Sequence, residues 1–174
     1  MGTGCCSSQS QVTMKGNPVT LVGNKVKVGD QAPDATLVAN NLSEVKLSSF
    51  LGKKVIISAV PSLDTPICDK QTRHFNQAAA GLGKDVVILT ISMDLPFAQK
   101  RWCAAAGIDQ VQTLSDHREA AFGQAFGVLI KEFRLLARSI FIVNKEGKIS
   151  YIQIVPEIAS EPDYQTALDA VKKL

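Results

Sequence analysis

Apolar positions along the chain fall into compact runs separated by stretches of helical period. Lys53 to Val60 (KKVIISAV) is bounded by Gly52 and Pro61 and reads as a central strand buried on both faces. Asp85 to Ser92 (DVVILTIS) is a second such strand. Ser139 to Asn144 and Lys148 to Ile154 flank a turn at Glu146-Gly147, which predicts an antiparallel hairpin. Between the first two runs, Cys68, Gln71, Phe75, Ala79 and Leu82 recur at helical spacing. Thr65 is suited to cap that helix, Pro66 to its first turn, and Gly81 and Gly83 to its end. Asp94 and Pro96 open a second helix running to about Ala106, where Gly107 stops it. A short strand near Val111 to Leu114, a helix near His117 to Phe126 and a closing helix from Asp163 to Leu174 follow. Upstream, Asn17 to Lys27 predicts a small hairpin turning at Gly23-Asn24, and Thr36 to Val38 pairs with Val45 to Leu47.

Strand, helix, strand, helix, hairpin, helix is the order of a thioredoxin-like fold. The fold class is therefore α/β: a mixed central sheet flanked by helices, with an N-terminal β-hairpin. Residues 16–174 are expected to form one domain behind a flexible tail at residues 1–15. A net charge of +3 without any dense basic run gives no footprint for nucleic acid. The longest apolar run falls far short of the ~20 residues of a membrane span. No basic stretch followed by an apolar one marks a secretory signal, so the expected location is cytoplasmic. Gly2 with Cys5 and Cys6 partly matches a lipidation signal, but Cys6 stands where a serine or threonine is needed. A start at Met14 with an extension before it explains the tail equally well.

The four cysteines make no disulfide framework and no CxxC pair, and neither His74 nor His117 lies at metal-ligand spacing from one. No metal site is expected. Cys68 falls in the first turn of its helix, where unpaired backbone N–H groups and the helix dipole favour a thiolate, the nucleophilic form. It also follows a buried strand, at the end where open α/β sheets place their sites. Position alone leaves a buried structural cysteine equally open. Cys103, beside Trp102, lies about two turns into its helix, where the dipole helps little. Two turns are about 10 Å of travel, and a disulfide needs Cα atoms within ~7 Å, so any pairing of the two demands local unwinding. A packed core cysteine is the competing reading of Cys103.

The segment PSLDTPIC, Pro61 to Cys68, resembles the PxxxTxxC signature of peroxiredoxins. NPVTLVG, PSLDTPICDKQTRHFN and SMDLPFAQKRWCAAAGI further resemble the bacterial thiol peroxidase subfamily, the atypical two-cysteine peroxiredoxins, over roughly Gly16 to Leu174. The resemblance implies that Cys68 is the peroxidatic cysteine, oxidised to sulfenic acid, and that Cys103 resolves it through a Cys68–Cys103 disulfide. It implies that Thr65 sets its hydroxyl against the sulfur and that Pro61 shields the loop. It also asks for an arginine near a later strand, where Arg138 fits better than Arg134 because it immediately precedes the apolar run. Asp64 and Arg73 are expected to be surface or structural charges. Thioredoxin would be the reductant, hydrogen peroxide and organic hydroperoxides the substrates, and a homodimer the assembly, with no cofactor bound. Val60, Leu63 and Ile67 agree with a partly apolar pocket. The expected division is an exposed attacker at Cys68 and a buried resolver at Cys103.

Two rivals and one ambiguity stand beside this reading. A disulfide reductase wants CxxC, but its second cysteine position holds Gln71. A non-enzymatic module of the same fold would not need Thr65, Cys68 and Arg138 together. A peroxide-sensing relay would use the same sulfenic acid as a scavenger and is not separated from it by sequence.

Overall fold

The computed structural model describes residues 11–174. In chain order the elements are β1 (Thr13–Met14), β2 (Asn17–Pro18), β3 (Leu21–Val22), β4 (Thr36–Ala39), β5 (Glu44–Lys46), β6 (Lys54–Ala59), α1 (Pro66–Ala78), β7 (Val86–Ser92), α2 (Pro96–Ala106), β8 (Gln112–Ser115), α3 (Ala121–Ala125), β9 (Leu129–Ile130), β10 (Leu135–Leu136), β11 (Ser139–Val143), β12 (Ile149–Ile154) and α4 (Tyr164–Lys172). The main sheet has seven strands in the order β12-β11-β6-β7-β8-β4-β5. Its centre, β6-β7-β8, is parallel, and both flanks are antiparallel. Each parallel step crosses over through a helix, α1 and then α2. The ends of β6, β7 and β8 therefore deliver their loops to one edge of the sheet.

The two-residue period of the strands sorts the core into two layers. From β6 and β11, Ile56, Ile140 and Ile142 point to one face, where Phe75 of α1 and Ala167 and Val171 of α4 cover them. Val55, Ile57, Phe141 and Val143 point to the other, onto Phe122 and Phe126. These three phenylalanines form a cluster, with centroids of Phe122 and Phe126 4.6 Å apart and Phe141 edge-on to both. A strand covered on both faces needs a continuous apolar run, and that is the pattern of KKVIISAV.

Three features depart from the sequence reading. The N-terminal hairpin turns at Lys15-Gly16 and pairs Thr13–Met14 with Asn17–Pro18, not across Gly23-Asn24. Gly23 instead passes so close to the backbone of Gln124 that a side chain there would collide with it, and Leu21–Val22 pairs with Leu129–Ile130. Residues 12–15, expected within the flexible tail, are built into the fold, with Val12 buried and Thr13 hydrogen-bonded to Pro156; residues 1–10, with Cys5 and Cys6, lie outside the described residues. The helix expected from His117 spans only Ala121–Ala125. The buried Asp116 carboxylate accepts the N–H groups of Phe122 and Gly123 and holds the segment before them in a turn, with Ala120 at φ +53°. Burial pushes the Asp116 carboxyl above its ordinary range, against the pull of those two donors. By contrast Gly107 ends α2 in the left-handed conformation at φ +66°, as its sequence position requires.

Candidate active site

The loop from β6 to α1 is shaped from the next strand's loop. Ser62 Oγ and Leu63 N–H donate to the Asp94 carboxylate at 2.7 and 2.8 Å, and Ser92 Oγ donates to it as well. Val60, Pro61 and Leu63 are buried beneath this brace, and Ile67 is half-buried. Thr65 is extended, as a residue before proline must be, and Pro66 starts the helix. The Thr65 hydroxyl does not cap α1, contrary to the sequence expectation. It lies 2.7 Å from Cys68 Sγ and 3.0 Å from the Ser62 carbonyl. One hydroxyl proton cannot serve both, so a sulfur bearing negative charge takes it, whereas a thiol leaves it to Ser62 and donates its own.

Cys68 is fully buried, in a small apolar cluster with Val60 and Leu63 against which Trp102 packs. Arg138, 2% exposed and immediately before β11, reaches it from behind. Its Nη2 donates to Cys68 Sγ at 3.3 Å, its Nη1 to Gln71 Oε1 at 2.8 Å and its Nε to the Ile158 carbonyl at 2.8 Å. Gln71 is held in turn, its Nε2 donating to Ser58 Oγ of β6 at 2.7 Å. A buried cation is costly without a counter-charge. Among the described residues no carboxylate forms an ion pair with Arg138. Its bonded acceptors are a carbonyl, an amide and the sulfur, and of these only the sulfur can carry a negative charge. The competitor Arg134 is exposed, with φ +52°.

Cys103 sits differently. It is half-buried, with Sγ 3.5 Å from Thr113 Oγ1 of β8. Thr113 donates its own proton to Asn40 Oδ1 at 3.1 Å, so the bond from Cys103 is one in which the thiol donates. The two cysteines' exposures are thus the reverse of the sequence expectation. Cys68 lies behind the exposed Thr65, and the chain packs a guanidinium, not solvent, against its sulfur. Neither of these two cysteines is in a disulfide.

The Redoxin family profile matches residues 27–168. The chain is 57% identical over 165 residues to the thiol peroxidase of Bacillus subtilis (strain 168), covering 95% of this chain and 98% of that protein. It is 56% identical to the thiol peroxidase of Listeria innocua, over 94% of this chain and 99% of the other. The chain belongs to the thiol peroxidases of the Redoxin family. A crystal structure of a peroxiredoxin-like protein from Aquifex aeolicus superposes with a TM-score of 0.89 at 45% identity, covering 95% of this chain and 97% of that one.

Within this Redoxin chain, sequence reasoning missed the supports of the reactive centre. Gln71 entered as one position of the helical spacing and as the absence of a second cysteine, yet it orients the guanidinium. Its signal was a polar residue among the helix positions expected to be buried. Asp94 read as a helix opener and is the brace of the neighbouring loop. Tyr164 of α4 carried no signal at all: its ring stacks on His74 at 3.9 Å and meets Phe75 edge-on. Its hydroxyl donates to Glu161, and burial together with that carboxylate pushes its ionisation well above the ordinary tyrosine range. It remains a neutral wall.

Proposed function

We propose that this thiol peroxidase reduces hydrogen peroxide and organic hydroperoxides with Cys68 as the attacking sulfur and Cys103 as the resolving one. Cys68 thiolate attacks one peroxide oxygen, the O–O bond breaks, and the other oxygen leaves as hydroxide or alkoxide and takes up a proton. Thr65 Oγ1 donates toward the reacting oxygen or sulfur, and Arg138 offsets the charge that moves from sulfur to the leaving oxygen. Cys103 thiol then displaces water from the Cys68 sulfenic acid, forming the Cys68–Cys103 disulfide. An external dithiol, by family expectation thioredoxin, returns both thiols. Pro61 keeps bulk water away from the sulfur. Residues 16–174 act as one peroxidase domain, as a homodimer in the cytoplasm.

The observation that carries this reading is the buried Arg138 whose one ionisable bonded partner among the described residues is Cys68 Sγ. The test is NADPH-coupled peroxide consumption with thioredoxin and thioredoxin reductase. Cys68→Ser is expected to lose all turnover. Cys103→Ser is expected to stop cycling while each chain still yields one sulfenic acid, trapped with dimedone and counted by mass spectrometry. Undiminished cycling by Cys68→Ser sinks the assignment.

A further inference from the structure

Cys68 and Cys103 are each one residue from a partner in a polar clamp between their helices. Asp69 Oδ1 accepts the Trp102 indole N–H at 3.0 Å, and Asp69 Oδ2 accepts Arg73 Nε at 2.8 Å. Arg73 continues across the gap, its Nη1 donating to the Ala106 carbonyl at 3.3 Å and its guanidinium lying 5.8 Å from the Trp102 ring centroid. One turn further, Asn76 Oδ1 accepts the Gln110 N–H at 2.8 Å. Asp69, Arg73 and Asn76 follow the i, i+4, i+7 spacing of one face of α1. Trp102, Ala106 and Gln110 follow the chain along α2 and just past its end.

Everywhere else α2 is lightly held. Only Pro96 and Gln99 of its residues are buried, and Leu95 and Phe97 at its start are 54% and 66% exposed. The layer below it is polar: Gln99 bonds Ser92 and the Leu114 carbonyl, Cys103 meets Thr113, and the buried Gln99 Oε1 and Thr90 Oγ1 have no partner among the described residues. Such a seam offers little apolar area to hold a helix in place.

We infer that the Asp69–Trp102–Arg73 clamp is a gate on disulfide formation: it keeps Cys103 directed to Thr113, and its opening sets how fast Cys103 reaches the Cys68 sulfenic acid. Cys68 Sγ points to Arg138 and Cys103 Sγ to β8, while their chain neighbours are bonded to each other. The sulfurs cannot join without one of these residues swinging away, and that swing separates Asp69 from Trp102. The gate also sets the fate of the sulfenic acid. While it is closed, a second hydroperoxide can oxidise Cys68 sulfenate to sulfinate, an oxygen passing to sulfur and an alcohol or water leaving. Asp69, Arg73 and Trp102 are positioning residues, acting through Cys103.

This inference rests on the Cys68–Cys103 assignment, and single-turnover experiments on the full chain separate the two. Sulfenic acid formation is followed by dimedone trapping and disulfide formation by quenched alkylation, both read by mass spectrometry. Trp102→Phe keeps the ring but removes the donor. It is expected to speed disulfide formation about tenfold, the low end for a hydrogen bond to a charged group, and to change sulfenic acid formation by less. The peroxide concentration that gives half sulfinate should rise by the same factor. Asp69→Asn keeps Trp102, the only tryptophan of the chain, and should bring forward its fluorescence change on oxidation. Disulfide formation that is unchanged or slower in both variants overturns the gate, as does an altered first step with an unaltered second. A wild-type chain that forms sulfenic acid but never the disulfide removes the gate and the resolving role together.

Discussion

Cys68 and Cys103 lie on adjacent helices of similar length, thirteen residues in α1 and eleven in α2, yet the two helices are held by different physics. Helix α1 buries Cys68, Gln71, Thr72 and Phe75. Its first turn is fixed by the fork of Arg138, the Thr65 hydroxyl and the Asp94 brace under the preceding loop. Helix α2 rests on a polar seam and leans on α1 through a few side-chain bonds. A sulfur that must present one geometry to a peroxide gains from the first arrangement. A sulfur that must leave its place to meet another gains from the second, because few apolar contacts are lost when it moves. With Cys68 proposed as attacker and Cys103 as resolver, the first is the preorganised residue and the second the releasable one, a contrast of rigidity more than of exposure.

The strongest way to break the comparison is at Arg138. Arg138→Met should slow sulfenic acid formation by about a thousandfold, the upper range for removing a preorganised donor of charge-stabilising bonds. It should also lower the melting temperature, because Gln71 Oε1 and the Ile158 carbonyl are left buried without a donor. Stopped-flow peroxide kinetics and thermal unfolding together check both parts. A first step within tenfold of wild type would remove Arg138 from the chemistry.

A smaller effect is expected at Thr65. Thr65→Val keeps the shape and extended backbone but loses the hydroxyl 2.7 Å from the sulfur. The first step should fall by about a hundredfold, the low end of the range for a positioned proton donor. Thr65→Ser should recover most of it, and the melting temperature should hardly move because the hydroxyl does not cap the helix. If Thr65→Ser is as slow as Thr65→Val, the hydroxyl is not the working group.

The smallest effect is electrostatic and lies where α4 meets α1. Lys70 and the Tyr164 hydroxyl donate to Glu161, and Thr166 donates to Asp163, the cap of α4. These donors hold both carboxyls below their ordinary range, Lys70 leading at Glu161 and Thr166 at Asp163. A carboxyl lowered in the folded state adds stability above its unfolded value, and that stability is lost as pH falls through the folded one. Acidification below about pH 4 should therefore fray the start of α4 and loosen Tyr164 from His74. Both pairs are exposed and screened, so the change should be modest. Protection of the amides of residues 164–166, relative to the intrinsic exchange rate at each pH, should fall from pH 6 to pH 3. Equal protection at both would show that packing alone holds this junction.

Much of the fold was legible because its strongest signals are local. The runs at Val55, Val87 and Ile140 are apolar since their strands are covered on both faces, and α2 starts at Pro96 and ends at Gly107 because those residues fix the backbone. The misread hairpin had a local cue as well. Gly23 looked like a turn glycine, but its requirement comes from Gln124, a hundred residues away in sequence. The strands at Leu129 and Leu135 were missed for a related reason, since β9 and β10 are only two residues each and the pairing of β9 with β3 is long-range. In the site, Cys68, Thr65 and Pro61 lie in one motif and could be read together. Gln71, Asp94, Tyr164 and Ile158 could not, because each matters only through a neighbour brought from elsewhere.

By itself the sequence determined the order of the main-sheet strands and the helices, the first-turn position of Cys68, and a second cysteine well inside the next helix. These follow from period, capping residues and chain geometry, which need only neighbours along the chain. Tertiary structure alone decided that Arg138 is buried against Cys68 with no carboxylate paired to it among the described residues, and that Thr65 turns its hydroxyl to sulfur and not to the helix end. It also decided that Asp69 and Trp102 bond across the gap between the two helices. Charge balance and hydrogen-bond satisfaction in a buried site depend on which distant groups arrive there, and the crossovers from β6 to β7 and from β7 to β8 settle that.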